Sequence, residues 1–208
     1  MTLVLVPSAR LARWVENFTT SHGETELTTT DGALSGTAED GSTFSARLPF
    51  GEAYAGPPDP AAFAEGISVP DDWGILLVRK GGFAIARMSG TTFAESKVGQ
   101  RHVQGRTKAG GQSQQRFARR RDNQARQAYE AAAEHAARIL GEGLDKSDQR
   151  RTVVTGGDHA AVDEVLADVR LKSLTVVEPW LAVPDPRRGV LEQAALDARS
   201  ARVEVHNS

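Results

Sequence analysis

Three consecutive residues, Gly110-Gly111-Gln112, lie inside the stretch RTKAGGQSQQRFARRR (106–121). Phe117 is the one large apolar residue of that stretch, so it cannot hold a core of its own. Two adjacent glycines permit positive φ and allow the backbone to approach another molecule closely. A loop bent in this way can turn backbone N–H groups toward a developing negative charge, the geometry that stabilises an oxyanion. Residues 106–115 hold neither an acid nor a histidine. The stretch therefore offers no side chain for acid–base catalysis, and it permits, without requiring, a loop that acts by placement and electrostatics.

Other chemistries have weaker support. A metal-dependent nuclease needs converging carboxylates, and the candidates Asp71, Asp72, Glu95 and Asp158 form no recognisable cluster by spacing. The histidines, His22, His102, His135, His159 and His206, are scattered and read as surface or packing residues. Gly156-Gly157-Asp158 follows an expected strand and opens an expected helix. Such a turn can bind phosphate, but an aspartate capping the helix is the simpler reading. The chain has no cysteine, which excludes disulfides and cysteine-ligated zinc. No metal and no cofactor is expected.

Charge is distributed unevenly. The 208 residues carry a net charge of −2. Between Lys97 and Arg126 there are nine basic residues and one acid, Asp122, so this window is +8 and the rest of the chain −10. An arginine-rich composition would scatter its arginines and would not leave 30 residues with a single acid. A polyanion such as RNA would be drawn to this end and repelled by the remainder. The candidate RNA-binding residues are Arg101, Arg106, Lys108, Arg116, Arg119, Arg120, Arg121 and Arg126. Hydrophobic content of 39% and charged content of 25% fit a globular protein. No apolar run reaches the roughly 18–20 residues of a membrane span, and MTLVLVPSARLARWV lacks the basic start of a signal peptide. A cytoplasmic monomer with no membrane partner is expected.

Two parts are expected to position these residues. In residues 1–60, Leu11, Trp14, Val15 and Phe18 recur at helical spacing behind Pro7. ELTTTDGALSGTAEDGSTFSARLPF alternates around Asp31-Gly32 and Asp40-Gly41, the pattern of a small β-meander. GEAYAGPPDPAAFAEG, with Pro57, Pro58 and Pro60, reads as a surface connection. In residues 61–208, GILLVRK and FAIARM flank a Gly81-Gly82 turn, and a third strand is expected from about Thr92 to Val103. A long helix follows, from about Ser113 to Leu140, and then strand, helix, strand and helix in RTVVTGG, AAVDEVLADVR, LTVVE and RGVLEQAALDARSAR. Three antiparallel strands followed by that alternation give a mixed α/β sheet of RNase H-like order. The long helix carries Ala125, Ala128, Tyr129, Ala132, Ala136, Ile139 and Leu140 on one stripe. Its first half lacks that stripe and instead sets Arg116, Arg119, Arg120 and Asn123 on one face. Twenty-eight helical residues extend about 42 Å, so the helix is expected to present the 106–115 loop beyond the body of the domain.

GGQSQQRFARRR resembles the GGQ loop and following helix of the catalytic domain of eukaryotic and archaeal class-1 translation release factors, in which Gly-Gly-Gln-Ser likewise precedes an Arg-Phe-Ala-Arg helix start. The chain's length and lack of flanking domains are similar to the bacterial branch of the Vms-like release factors (VLRF), peptidyl-tRNA hydrolases that rescue stalled ribosomes. The resemblance is sharp over 106–121, extends in layout over about 69–201, and is absent before residue 60. It implies hydrolysis of the peptidyl-tRNA ester on the large ribosomal subunit, with rRNA and peptidyl-tRNA as partners. It also implies that Gln112, with Gly110 and Gly111, is the catalytic element. Relatives often carry the glutamine in a shifted Gly-Gly-Ser-Gln context, which makes Gln114 the second candidate. The rival reading is a non-catalytic ribosome- or RNA-binding module whose basic finger only docks.

Overall fold

The computed structural model describes residues 1–100, 112–144 and 150–208, with the side chains of 100 and 112–125 outside that description. The chain forms two compact units, Met1–Val69 with Ala195–Ser208, and Pro70–Ala194.

The first unit is an antiparallel sheet of order β1-β10-β4-β3-β2, made of β1 (Thr2–Val6), β2 (Thr25–Thr30), β3 (Ala33–Ala38), β4 (Thr43–Arg47) and the last strand, β10 (Ala201–His206). Helix α1 (Ser8–His22) starts behind Pro7 and buries Leu11, Val15 and Phe18, the stripe expected from the sequence. Thr30 pairs with Ala33 across Asp31-Gly32, and both turn residues take positive φ, as a two-residue hairpin requires. The expected surface connection is partly core. Tyr54 and Phe63 are buried with their rings 4.7 Å apart, the Tyr54 hydroxyl donates to the Pro57 carbonyl, and Asp59 caps α2 (Pro60–Glu65).

Two features of this unit depart from the sequence expectation. The boundary expected at residue 60 falls inside the unit, and the chain's end, assigned from sequence to the second part, belongs here. The expected terminal helix stops earlier, and β10 then pairs with β1 and β4. The reason is non-local pairing: ARVEVH places Ala201 and Val203 in a core built by residues nearly 200 positions away.

The second unit has strands β5 (Asp72–Arg79), β6 (Gly82–Ser89), β7 (Thr92–Gln100), β8 (Arg151–Gly157) and β9 (Leu174–Leu181), and helices α3 (Gln112–Gly141), α4 (His159–Leu166) and α5 (Arg188–Asp197), the last running across the division between units. Sheet order is β7-β6-β5-β8-β9, with β5, β6 and β7 antiparallel and β8 and β9 added parallel to β5. This is the RNase H-like mixed sheet expected from the element order. Its central strand β5 is buried continuously from Trp73 to Val78, as an apolar run covered on both faces should be. Leu76, Val78, Phe83, Ile85 and Val153 of the sheet share one core with α3 and α4.

Candidate functional site

Helix α3 spans 30 residues, about 45 Å at 1.5 Å per residue. Its C-terminal half packs on the sheet: Ala132, Ala136, Ile139 and Leu140 are fully buried, with Ala128 and Tyr129 nearly so. Small side chains let helix and sheet approach closely. A Cβ on Gly74 of β5 would sit 2.6 Å from Leu140 Cδ2, so this glycine makes room for the helix.

A polar network closes the end of α3. Arg151, the first residue of β8, has a side chain only 1% exposed. Its Nη1 donates to the Leu140 carbonyl and its Nη2 to the Glu142 carbonyl at 2.9 Å. Leu140 lies in the last turn of α3 and Glu142 just past its end, where carbonyls lack intrahelical partners. Arg151 Nε and Nη2 also donate to Asp72 Oδ2, on the first residue of β5, at 3.1 and 2.7 Å. Arg87 bridges Asp72 Oδ1 at 3.1 Å and Glu142 at 3.3 Å, and Arg138 pairs with Glu95 of β7 at 2.5 Å. Burial works to raise the Asp72 carboxyl, but hydrogen bonds and charges from Arg151 and Arg87 outweigh it and hold the group below the usual carboxylate range.

Strand β7 forms one edge of the sheet, and it leads directly into the 101–111 stretch. It is tied in place from α5, where Arg188 donates to Ser96 at 2.9 Å and lies 5.0 Å over the Phe93 ring. At its far end Gly99 lies under Phe83, whose ring would be 2.4 Å from a Cβ there. A cleft of about 530 Å³ opens beside this point, between Phe83, Gly99, Gln127, Ala128, Glu130 and Glu134.

Of the expected site residues, Gly110, Gly111, Arg101, Arg106 and Lys108 lie outside the described residues. Gln112 is the first residue of α3, and Gln114, Arg116, Arg119, Arg120 and Arg121 occupy its first turns; their side chains are outside the description. Arg126 is exposed. Three of the four candidate carboxylates are otherwise engaged, and Asp71 is exposed. Asp72 belongs to the Arg151 network, Glu95 pairs with Arg138, and Asp158 accepts from the Ala160 N–H as the cap of α4. Among the described residues no group of three or more His, Asp or Glu side chains could hold a metal ion. His22 pairs with Asp40, His135 lies against Phe83 and His159 stacks on Trp180. Sequence reasoning missed Arg151, Arg87, Glu142 and Arg138. The available signal was an Arg and an Asp at the starts of two strands, which becomes informative only once β5 and β8 are known to be neighbours.

Residues 71–204 match the profile of the Actinobacteria/chloroflexi VLRF1 release factor family. The chain belongs to this family. The match runs from the start of β5 through α5 into β10, and so includes the whole β7–α3 junction. Membership in the VLRF1 release-factor family assigns the protein a role in ribosome-associated release or rescue. No curated protein sequence matches the chain. Among the described residues no helix is long and apolar enough to cross a membrane.

Proposed function

We propose that this protein hydrolyses the ester of peptidyl-tRNA on the large ribosomal subunit and so frees the nascent chain from a stalled ribosome. The observation that carries the reading is the position of Gly110-Gly111-Gln112, between an edge strand and a 30-residue helix in a chain of a release-factor family. Family membership supports the ribosome as the place of action, and the tripeptide supports the chemistry. Water cleaves such an ester slowly unless it is placed and the developing oxyanion stabilised. In this reading Gly110 and Gly111 supply the bend, the Gln112 backbone N–H meets the developing charge, and its neutral side chain narrows the cavity to a space that water fills. Gln114 is the second candidate for that role. Water adds to the ester carbonyl, and the tetrahedral intermediate expels the tRNA ribose oxygen, which leaves as a hydroxyl.

Arg101, Arg106, Lys108, Arg116, Arg119, Arg120, Arg121 and Arg126 serve to bind phosphates of rRNA or the tRNA acceptor end, with little reading of bases. The protein acts as a cytoplasmic monomer with no metal or cofactor. The test is release of labelled peptide from purified large subunits carrying peptidyl-tRNA. Release dependent on the protein supports the hydrolase, whereas binding without release favours the docking module.

A further inference from the structure

Gln112 begins a helix whose first buried side chain among the described residues is Ala128. The arm from Leu140 to Gln112 is 28 residues, about 42 Å, and a 5° tilt about Leu140 moves Gln112 by about 4 Å. Misplacing a catalytic group by about 1 Å can cost on the order of 100-fold in rate. What fixes the base of α3 therefore bears on where Gln112 lies.

Apolar packing sets how closely α3 lies on the sheet. Ala128, Ala132, Ala133 and Ala136 bring the helix close, and Tyr129, Ile139 and Leu140 anchor its lower half in the core. The polar network is directional. Arg151 holds two carbonyls at the end of α3 and, through Asp72, joins them to the first residues of the neighbouring strands β5 and β8. Arg87–Glu142 and Arg138–Glu95 add ties to β6 and β7. Arg151 is buried and Asp72 half-exposed, and an ion pair of this kind is weak evidence for stability, because apolar replacements of similar volume are often as stable.

Resting on the hydrolase reading above, we propose that Arg151 and Asp72, with Arg87 and Glu142, are positioning residues that fix the axis of α3 and thereby the location of Gln112. The chain has no cysteine, so Gln115→Cys on α3 and Thr91→Cys in the exposed β6–β7 turn accept a pair of spin labels. Distances are measured in the labelled protein and in the same protein carrying Arg151→Gln or Asp72→Asn. The expected result is a distribution broadened or shifted by about 3 Å or more. In the unlabelled variants kcat for peptide release is expected to fall about tenfold or more, with KM for loaded subunits unchanged. A merely structural residue would lower the melting temperature and leave both the distance and kcat unaltered below it. Should Arg151→Gln and Asp72→Asn fail to fold, the double variant Arg87→Gln/Glu142→Gln removes a partly exposed tie of the proposed set and leaves the buried Arg151 paired with Asp72. A folded variant of either kind with the wild-type distance distribution overturns the proposal. A wild-type protein that releases no peptide overturns the hydrolase reading instead, and the distance measurement still decides whether the network fixes the helix.

Discussion

Replacing Asp72 by asparagine isolates one charge at the base of α3. The carboxylate accepts from Arg151 Nε and Nη2 through one oxygen and from Arg87 Nε at 3.1 Å through the other. Asparagine keeps one acceptor oxygen and loses the charge, leaving the Arg151 guanidinium buried with only carbonyl partners of full strength. Breaking a fully buried pair costs about 3–5 kcal/mol. Here the Asp72 side chain is 46% exposed, so water screens the pair from one side and the cost falls to about 2 kcal/mol. For a chain of this size that corresponds to a loss of about 4–8 °C in melting temperature. The effect must depend on pH. Because the folded protein holds Asp72 below its ordinary range, the carboxylate stabilises the fold above the unfolded value near 4. That contribution is lost as pH falls through the folded value. Thermal unfolding of wild type and Asp72→Asn followed by circular dichroism at pH 7, 5 and 3.5 should show a gap that is full at pH 7 and shrinks at pH 3.5. A gap under about 1 °C at pH 7, or one of equal size at all three pH values, would refute the reasoning.

Three further outcomes are expected. Gly157→Ala should lower stability by about 2 kcal/mol or more, because Gly157 has φ +106° and a Cβ there would lie 2.3 Å from the Val78 carbonyl oxygen; a melting curve superimposable on wild type would contradict this. Gly111→Ala should slow peptide release while leaving the melting temperature unchanged within about 1 °C, since in the proposed reading Gly111 serves the bend that places Gln112; a loss matching a core truncation would contradict that reading. Arg119→Glu with Arg120→Glu should weaken association with large subunits and flatten its salt dependence, by close to one unit of logarithmic slope for each phosphate no longer neutralised. Parallel slopes with equal affinities across a salt series would remove these arginines from the RNA interface.

Much of the fold is legible in the sequence because its signals are local. Pro7 with Leu11, Val15 and Phe18 marks α1, and Asp31-Gly32 marks a hairpin. The continuous run from Trp73 to Val78 marks a strand covered on both faces. The alanine stripe marks the buried face of α3, and Ala128, Tyr129, Ala132, Ala136, Ile139 and Leu140 are buried as expected. What is not legible depends on partners distant in sequence. TLVLV reads as an apolar start until β10 is beside it, and ARVEVH follows a helical pattern with nothing local to mark it as a strand. Tyr54 and Phe63 are hidden by the prolines around them, which suggest a surface path although the two rings pack together. The Gly-Gly-Gln tripeptide can be read because it is contiguous. Arg151 cannot, since its role requires Asp72, 79 residues away, and the end of a helix to meet at one point.

Whether the Gly-Gly-Gln tripeptide cleaves peptidyl-tRNA is decided by Gln112→Ala. Single-turnover release of labelled peptide from loaded large subunits is measured for wild type, Gln112→Ala and Gln114→Ala, alongside subunit binding by each. Gln112→Ala is expected to bind like wild type yet release peptide on the order of 100-fold more slowly or not at all, while Gln114→Ala releases normally. Loss confined to Gln114→Ala would move the catalytic role to Gln114. Wild-type rates from both variants would rule out the tripeptide as the catalytic element.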